Sequence, residues 1–211
     1  MTDALLTAEK LLQADAVRLD PYKPFTWASG WKSPIYCDNR SLLSQPYIRD
    51  YIKSELCNLV FDKFPDAEII AGVATAGIAW GAMVADQLKL PFIYVRPKPK
   101  EHGLGNQIEG RYYPGQKALI VEDLISTGKS SLQVISVLKE NGVQVAGLVS
   151  IFSYQFEEAK NSFEKEEIRF ESLTNYPALL NLASQKGIIK PGEEEILLKW
   201  RSDPANWKGL L

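Results

Sequence analysis

The run Ala118-Leu119-Ile120-Val121-Glu122-Asp123-Leu124-Ile125-Ser126-Thr127-Gly128-Lys129-Ser130-Ser131 constrains the fold more than any other stretch of this 211-residue chain. Apolar residues, β-branched ones among them, lead into two carboxylates. Small hydroxylated residues around a glycine follow, and then an amphipathic helix pattern. A buried strand, a tight loop and a helix N-terminus are therefore joined in one short segment. Such a loop presents a row of backbone N–H groups with hydroxyls beside them, and Gly128 lets backbone come close to a ligand. Helix-start amides and the helix dipole together attract anions, phosphate above all. Glu122 and Asp123 would repel a bare phosphate, whereas a phosphorylated sugar suits both halves. Its ribose hydroxyls donate to the carboxylates while the amides hold the phosphate. The run is not a P-loop, because G-x-x-x-x-G-K-[ST] needs a glycine five residues before Gly128, where Asp123 stands. The competing reading is a buried strand and helix joined by a solvated acidic turn.

Around this segment the chain alternates. Residues 69–73 read as a strand, 74–77 as a turn into a helix that runs to about 88, and 91–96 as a strand. After the central strand at 117–122 comes a helix at 128–141, with Leu132, Ile135 and Leu138 inward and Gly142 just past its end. A strand at 143–151, a polar helix at 155–165, a strand at 168–173 and a closing helix at 176–186 follow. Alternation of this kind predicts an α/β fold with a parallel central sheet flanked by helices on both faces. Ligands then sit at the carboxyl ends of the strands, where both the 74–77 turn and the 126–130 loop fall. Before the alternation starts, 3–13 and 46–64 read as amphipathic helices, the first capped by Thr2 or Asp3.

A net charge of −2 and a pI near 5.6 argue against a protein built to coat nucleic acid or an anionic membrane. Cys37 and Cys57 are too few and too far apart for a metal knuckle or a disulfide framework, so a reduced, cytoplasmic setting is expected. No window approaches a membrane span, and the N-terminus has no basic-then-apolar signal pattern.

Two stretches break the regular pattern. Residues 21–40 are rich in prolines and aromatics, and read as a fixed flap able to stack on a flat ligand. The connection at 97–116 is too long for a plain loop and is expected to act as a lid. It holds Gly103, Gly105, Gly110 and Gly115, the cations Lys98, Lys100 and Arg111, and His102, the only histidine of the chain.

The acidic strand end with its Ser/Thr–Gly loop resembles the phosphoribosyl-pyrophosphate (PRPP) motif of type I phosphoribosyltransferases. Phe25-Thr26-Trp27-Ala28-Ser29-Gly30, with Ser33-Pro34-Ile35-Tyr36 after it, is similar to the N-terminal signature of the orotate phosphoribosyltransferase family. Tyr94-Val95-Arg96-Pro97-Lys98-Pro99-Lys100-Glu101-His102-Gly103-Leu104-Gly105-Asn106 resembles that family's catalytic loop.

The resemblance implies a single type I phosphoribosyltransferase domain. Residues 1–65 would form N-terminal helices and a hood or flap, 66–190 the PRPP-binding α/β core and 191–211 a C-terminal extension without assigned chemistry. It implies transfer of a phosphoribosyl group from PRPP to orotate, giving orotidine 5′-monophosphate and pyrophosphate. Mg2+ would be held mainly by PRPP and water. Glu122 and Asp123 would bind ribose hydroxyls, and the run from Leu124 and Ile125 through Ser126, Thr127, Gly128, Lys129 and Ser130 would wrap the 5′-phosphate. Arg96, Lys100 and His102 would meet the pyrophosphate, with Thr75 and Ala76 in a pyrophosphate turn containing a cis Ala74–Thr75 peptide. Lys100, His102 and Asp123 would carry the catalysis. Orotate would lie against Ser126, Lys32, Tyr36 and Tyr154. A homodimer is implied, with the 97–116 loop closing over the neighbouring subunit's site.

Three positions depart from one branch of the family, where lysines stand in place of Ala28 and Ala76 and an arginine in place of Tyr154; Lys32 and Lys98 are candidate replacements for the missing cations. Two alternatives remain: a purine-type phosphoribosyltransferase, disfavoured by the flap and the Lys-x-x-x-His-Gly arrangement, and a non-catalytic PRPP-sensing regulator, disfavoured by the acidic balance and the intact loop.

Overall fold

The structure, a computed structural model, describes residues 3–27, 29–99 and 106–209. Helix α1 (Ala4–Gln13) starts at Asp3, whose carboxylate accepts hydrogen bonds from the amides of Leu5 and Leu6 at 2.9 and 3.1 Å. Short strands β1 (Val17–Leu19), β2 (Phe25–Thr26), β3 (Lys32–Ser33) and β4 (Ile35–Cys37) form two antiparallel pairs, β1 with β4 and β2 with β3. A 3₁₀ turn at Asn39–Ser44 leads into helix α2 (Pro46–Lys63). The alternating part then runs β5 (Ile69–Val73), α3 (Ala76–Leu88), β6 (Phe92–Val95), β7 (Ile108–Glu109), β8 (Lys117–Ile125), α4 (Lys129–Glu140), β9 (Gln144–Ser153), α5 (Glu157–Lys165) and β10 (Phe170–Asn175). Helices α6 (Tyr176–Gln185) and α7 (Glu193–Ser202) close the chain. Among the described residues no helix is long and apolar enough to cross a membrane.

Two compact units result: Asp50–Leu173, and Asp3–Arg49 together with the chain from Thr174 onward. The first is built on a sheet of order β10-β9-β8-β5-β6-β7. β6, β5, β8 and β9 run parallel, and β7 pairs antiparallel at the edge. All five residues of β5 are buried, as expected of a strand covered on both faces. Ile69, Ala71, Val73, Ala118 and Ile120 cluster with Val134, Ile135 and Leu138 of α4 and Phe163 of α5, while the alternate residues Ile70, Leu119 and Val121 are buried as well. From β5 the chain first adds β6 on one side, then returns to add β8 on the other. The carboxyl ends of β5 and β8 therefore flank the crevice where the strand order reverses, the preferred ligand position in open α/β sheets.

The parallel pairing of β8 with β9 runs further than the sequence pattern indicates. Glu122 stands opposite Ser150, Leu124 opposite Phe152 and Ile125 opposite Ser153, so the two carboxylates lie inside a strand rather than at its end.

The second unit gives the C-terminal extension a role. Gly192 precedes three glutamates in the first turn of α7, and Lys199 and Arg201 occupy its last turn, each sign matching the helix dipole. Leu197 and Trp200 are wholly buried. Trp200 Nε1 donates to the Lys32 carbonyl at 3.1 Å, and its ring meets Trp27 edge-on at 5.7 Å and Tyr176 at 5.4 Å. Trp27 Nε1 in turn donates to the Ile35 carbonyl at 3.2 Å. The β2–β3 hairpin is thus carried on α7. Trp200→Ala is expected to cost about 3–5 kcal/mol, the usual penalty for emptying a large aromatic site, read from urea unfolding followed by far-ultraviolet circular dichroism.

Candidate active site

At the end of β5 the chain turns sharply. The Ala74–Thr75 peptide is cis, as the resemblance implied. The Ala74 amide donates to the Val95 carbonyl at 3.0 Å, and the Ile78 amide to the Thr75 carbonyl at 3.2 Å. A Cβ on Gly77 would collide with the Val121 carbonyl oxygen and lie 3.5 Å from Glu122 Cα, and a Cβ on Gly72 would lie 2.8 Å from the Gly77 carbonyl oxygen. Two glycines thus let the start of α3 seat directly on β5 and β8. Thr75 and Ala76 are thereby set beside the acidic stretch.

The 126–130 loop leaves β8 with the Ile125 carbonyl held by the Tyr154 amide at 2.9 Å. Gly128 takes φ +77°, a left-handed conformation that favours glycine, and caps α4 without a side chain. Its missing side chain matters twice, since a Cβ would lie 2.9 Å from the Phe163 ring. The first intrahelical bond runs from the Leu132 amide to the Gly128 carbonyl. The amides of Lys129, Ser130 and Ser131 precede it, at the positive end of the helix dipole. Ser126 and Thr127 are half-buried beside them, and Lys129 and Ser130 are exposed. This is an anion cradle with hydroxyls on its rim.

Glu122 and Asp123 are not equivalent. Glu122 is only 7% exposed whereas Asp123 is half-buried. Glu122 Oε1 accepts the Asp123 amide at 2.9 Å. Burial pushes the Glu122 carboxyl well above the usual carboxylate range; the charge of Asp123 and a hydrogen bond with its side chain push the same way, and the Asp123 amide opposes them.

Of the other expected residues, Arg96 lies at the end of β6. Its amide donates to the Gln107 carbonyl at 2.9 Å, and its guanidinium pairs with Glu109 at 3.7 Å. Gln133 Nε2 of α4 donates to the Pro97 carbonyl at 2.8 Å, tying the start of the 97–116 connection to the helix that carries the cradle. Sequence reasoning missed Glu109, Gln133 and Phe163, because each reaches the site from an element distant in sequence and none carries a local signal. Lys100 and His102 lie outside the described residues. Tyr154 is 1% exposed, between Phe152 at 5.2 Å and Phe156 at 5.3 Å, so its ring packs behind the loop. Lys32 and Tyr36 belong to the second unit, where Lys32 Nζ donates to Thr26 Oγ1 at 2.7 Å and Tyr36 packs on Phe25 at 5.6 Å.

A parallel sheet with an anion cradle and an acid pair at its switch point defines a protein that handles phosphorylated sugars. Residues 42–173 match the phosphoribosyl transferase domain family. The chain is 49% identical to the orotate phosphoribosyltransferase of Phocaeicola vulgatus over 96% of both chains. Among solved structures, the orotate phosphoribosyltransferase of Aeropyrum pernix superposes with a TM-score of 0.75 at 28% identity, covering 87% of this chain and 99% of that one. The UMP synthase of Leishmania donovani gives 0.79 at 27% identity, covering 94% of this chain and 42% of that one. The chain belongs to the phosphoribosyltransferases and, within them, to the orotate phosphoribosyltransferase family.

Two outcomes follow from this geometry. Gly128→Ala must move the Phe163 ring and hold alanine at positive φ, so it is expected to cost roughly 1–3 kcal/mol and to weaken phosphate binding in parallel, measured by thermal melting with and without inorganic phosphate. For Glu122 the fold raises the pKa and so favours the protonated form. Wild-type stability therefore falls as pH climbs from the ordinary carboxylate value toward the raised one, while a glutamine cannot ionise. Glu122→Gln is expected to melt higher than wild type near pH 8, the gap closing toward pH 5.

Proposed function

We propose that this protein transfers the phosphoribosyl group of PRPP to orotate, releasing pyrophosphate and forming orotidine 5′-monophosphate. The observation that carries the reading is the direct continuation of the acidic strand β8 into the anion cradle of α4. One element meets both ends of a phosphorylated ribose: Asp123 accepts from its hydroxyls, and the amides and hydroxyls of 126–130 hold its 5′-phosphate. Thr75 and Ala76 turn their backbone toward the pyrophosphate. Ser126, at the mouth of the cradle, would meet orotate by resemblance to the family.

Breaking the C1′–pyrophosphate bond leaves positive charge on the sugar and adds negative charge to the leaving group, as in other glycosyl transfers. The protein then needs positioning and well-placed cations rather than a nucleophile. Arg96 meets the pyrophosphate by exchanging Glu109 for a more highly charged partner. Lys100 and His102 add their donors from the 97–116 connection, which also keeps water from the activated sugar. Among the described residues no three His, Cys, Asp or Glu side chains cluster as a metal site. Mg2+ would be carried by the oxygens of PRPP and by water, and when bound it neutralises part of the leaving charge. A homodimer belongs to the same reading, with each 97–116 connection serving the neighbouring site. Sedimentation is expected to give twice the chain mass, and a monomer that turns over at full rate would remove that part.

Mixing the protein with PRPP, Mg2+ and orotate is expected to consume orotate's ultraviolet absorbance, with no pyrophosphate released when adenine, guanine, hypoxanthine or uracil replaces it. Release with a purine alone would replace the reading. Lys100→Ala is expected to lower turnover by about 10²-fold, the loss of one preorganised donor. Near-normal turnover in that variant would take Lys100 out of the mechanism.

A further inference from the structure

We propose that Gln133 is a positioning residue: its hold on the Pro97 carbonyl keeps Arg96, the cation that meets the pyrophosphate, at a fixed span from the 5′-phosphate cradle. The inference rests on the phosphoribosyl-transfer reading above and gives a task to a residue outside every motif of the sequence.

The donor carries phosphate groups at both C5′ and C1′ of one ribose, so the sugar sets their separation. The protein meets them from different strands. The cradle follows β8 and Arg96 follows β6, with β5 between them in the sheet, roughly 10 Å from one to the other. Arg96 also stands where the ladder is interrupted, because Pro97 and Pro99 have no N–H to donate. Two glutamine amides take over from the ladder. Gln107, whose carbonyl accepts the Arg96 amide at 2.9 Å, returns a bond from Nε2 to the Arg96 carbonyl at 3.2 Å. Gln133 Nε2 holds the next carbonyl, that of Pro97, at 2.8 Å.

Of these bonds, the last reaches the helix of the cradle. Gln133 lies one residue past the first amide bonded inside α4, and the Cβ atoms of a helix tilt toward its N-terminus, the end that carries the cradle. Its neighbours Val134 and Ile135 are buried and anchor the helix in the core, while Gln133 itself is exposed. It therefore contributes a hydrogen bond rather than packing. The C-terminal end of the same helix holds the far end of the connection. There Tyr112 Oη donates to Asn141 Oδ1 at 3.1 Å, and the Gly115 amide to the Gly142 carbonyl at 2.7 Å. Both described ends of the 97–116 connection are thus registered against the element that starts at the cradle. With Gln133 unable to donate, Arg96 keeps Gln107 and Glu109, but the chain beside it loses its direct tie to α4.

The test compares two ligands of the full-length protein by calorimetry, beside orotate turnover of the same samples. Ribose 5-phosphate offers the 5′-phosphate alone, and PRPP with Mg2+ adds the pyrophosphate. Gln133→Met keeps the length of the side chain and removes the donor. It is expected to weaken PRPP about threefold to tenfold, the worth of one such hydrogen bond, and to change ribose 5-phosphate less than about twofold. Its melting temperature should stay within about 2 °C of wild type, as for other exposed positions. In an Arg96→Met background the same substitution is expected to cost PRPP less than about twofold, because Gln133 acts through Arg96. Equal losses for the two ligands, no loss of PRPP, or an undiminished loss in the Arg96→Met background would overturn the assignment. PRPP binding without orotate turnover in wild type would reject the reaction, while the two-ligand comparison still decides the role of Gln133. No PRPP binding by wild type would reject both.

Discussion

The site depends on how closely the backbone of α3 approaches β8. Gly77 lies against the Val121 carbonyl at a distance no side chain permits, and Gly72 leaves room for the Gly77 carbonyl in turn. These contacts bind the turn after β5 to the strand that carries the acids. The fold reverses its strand order at this junction, so two neighbouring strand ends present their loops to one crevice. A methyl group at Gly77 would push the two loops apart. Overpacking of this kind cannot be relieved by a rotamer change, because the atoms that clash belong to the main chain.

Charge in the crevice follows from strand geometry. Extending β8 to Ile125 keeps the acid pair within the ladder, with Glu122 buried and Asp123 half-buried. The same extension sets where α4 can start, and thus where its amides point. On the other side of the crevice, Arg96 is held by Glu109 through the β6–β7 ladder, and Gln133 secures the Pro97 carbonyl. Glu109 and Gln133 thus position the cation and the stem of the long connection.

Much of this was legible in the sequence because it is local. The strand–loop–helix run, the helices on either side of it and the 74–77 turn each carry their own periodicity, cap or glycine. What escaped reading depends on distant partners. The sequence pattern ends β8 three residues short, because only the opposing residues Ser150, Phe152 and Ser153 keep its last part in a ladder. The two- and three-residue strands β1 to β4 exist through each other and have no room to show alternation. Helix α7 is a different case. Its acidic first turn and basic last turn are in plain view, and Trp200 reads as packing or a dimer contact, but its partners Trp27, Tyr176 and the Lys32 carbonyl come from distant parts of the chain. The chemistry of Lys100 and His102 is still read from sequence.

We propose that one continuous element, from Glu122 to Ser130, receives the phosphoribosyl donor. A crystal structure of the protein with PRPP tests it most directly. The 5′-phosphate is expected within hydrogen-bonding distance of the amides at 127–130 and the ribose hydroxyls on Asp123, with the pyrophosphate toward Thr75 and Ala76. A donor bound elsewhere with the 126–130 loop untouched, or one whose pyrophosphate rather than 5′-phosphate fills the cradle, would contradict it.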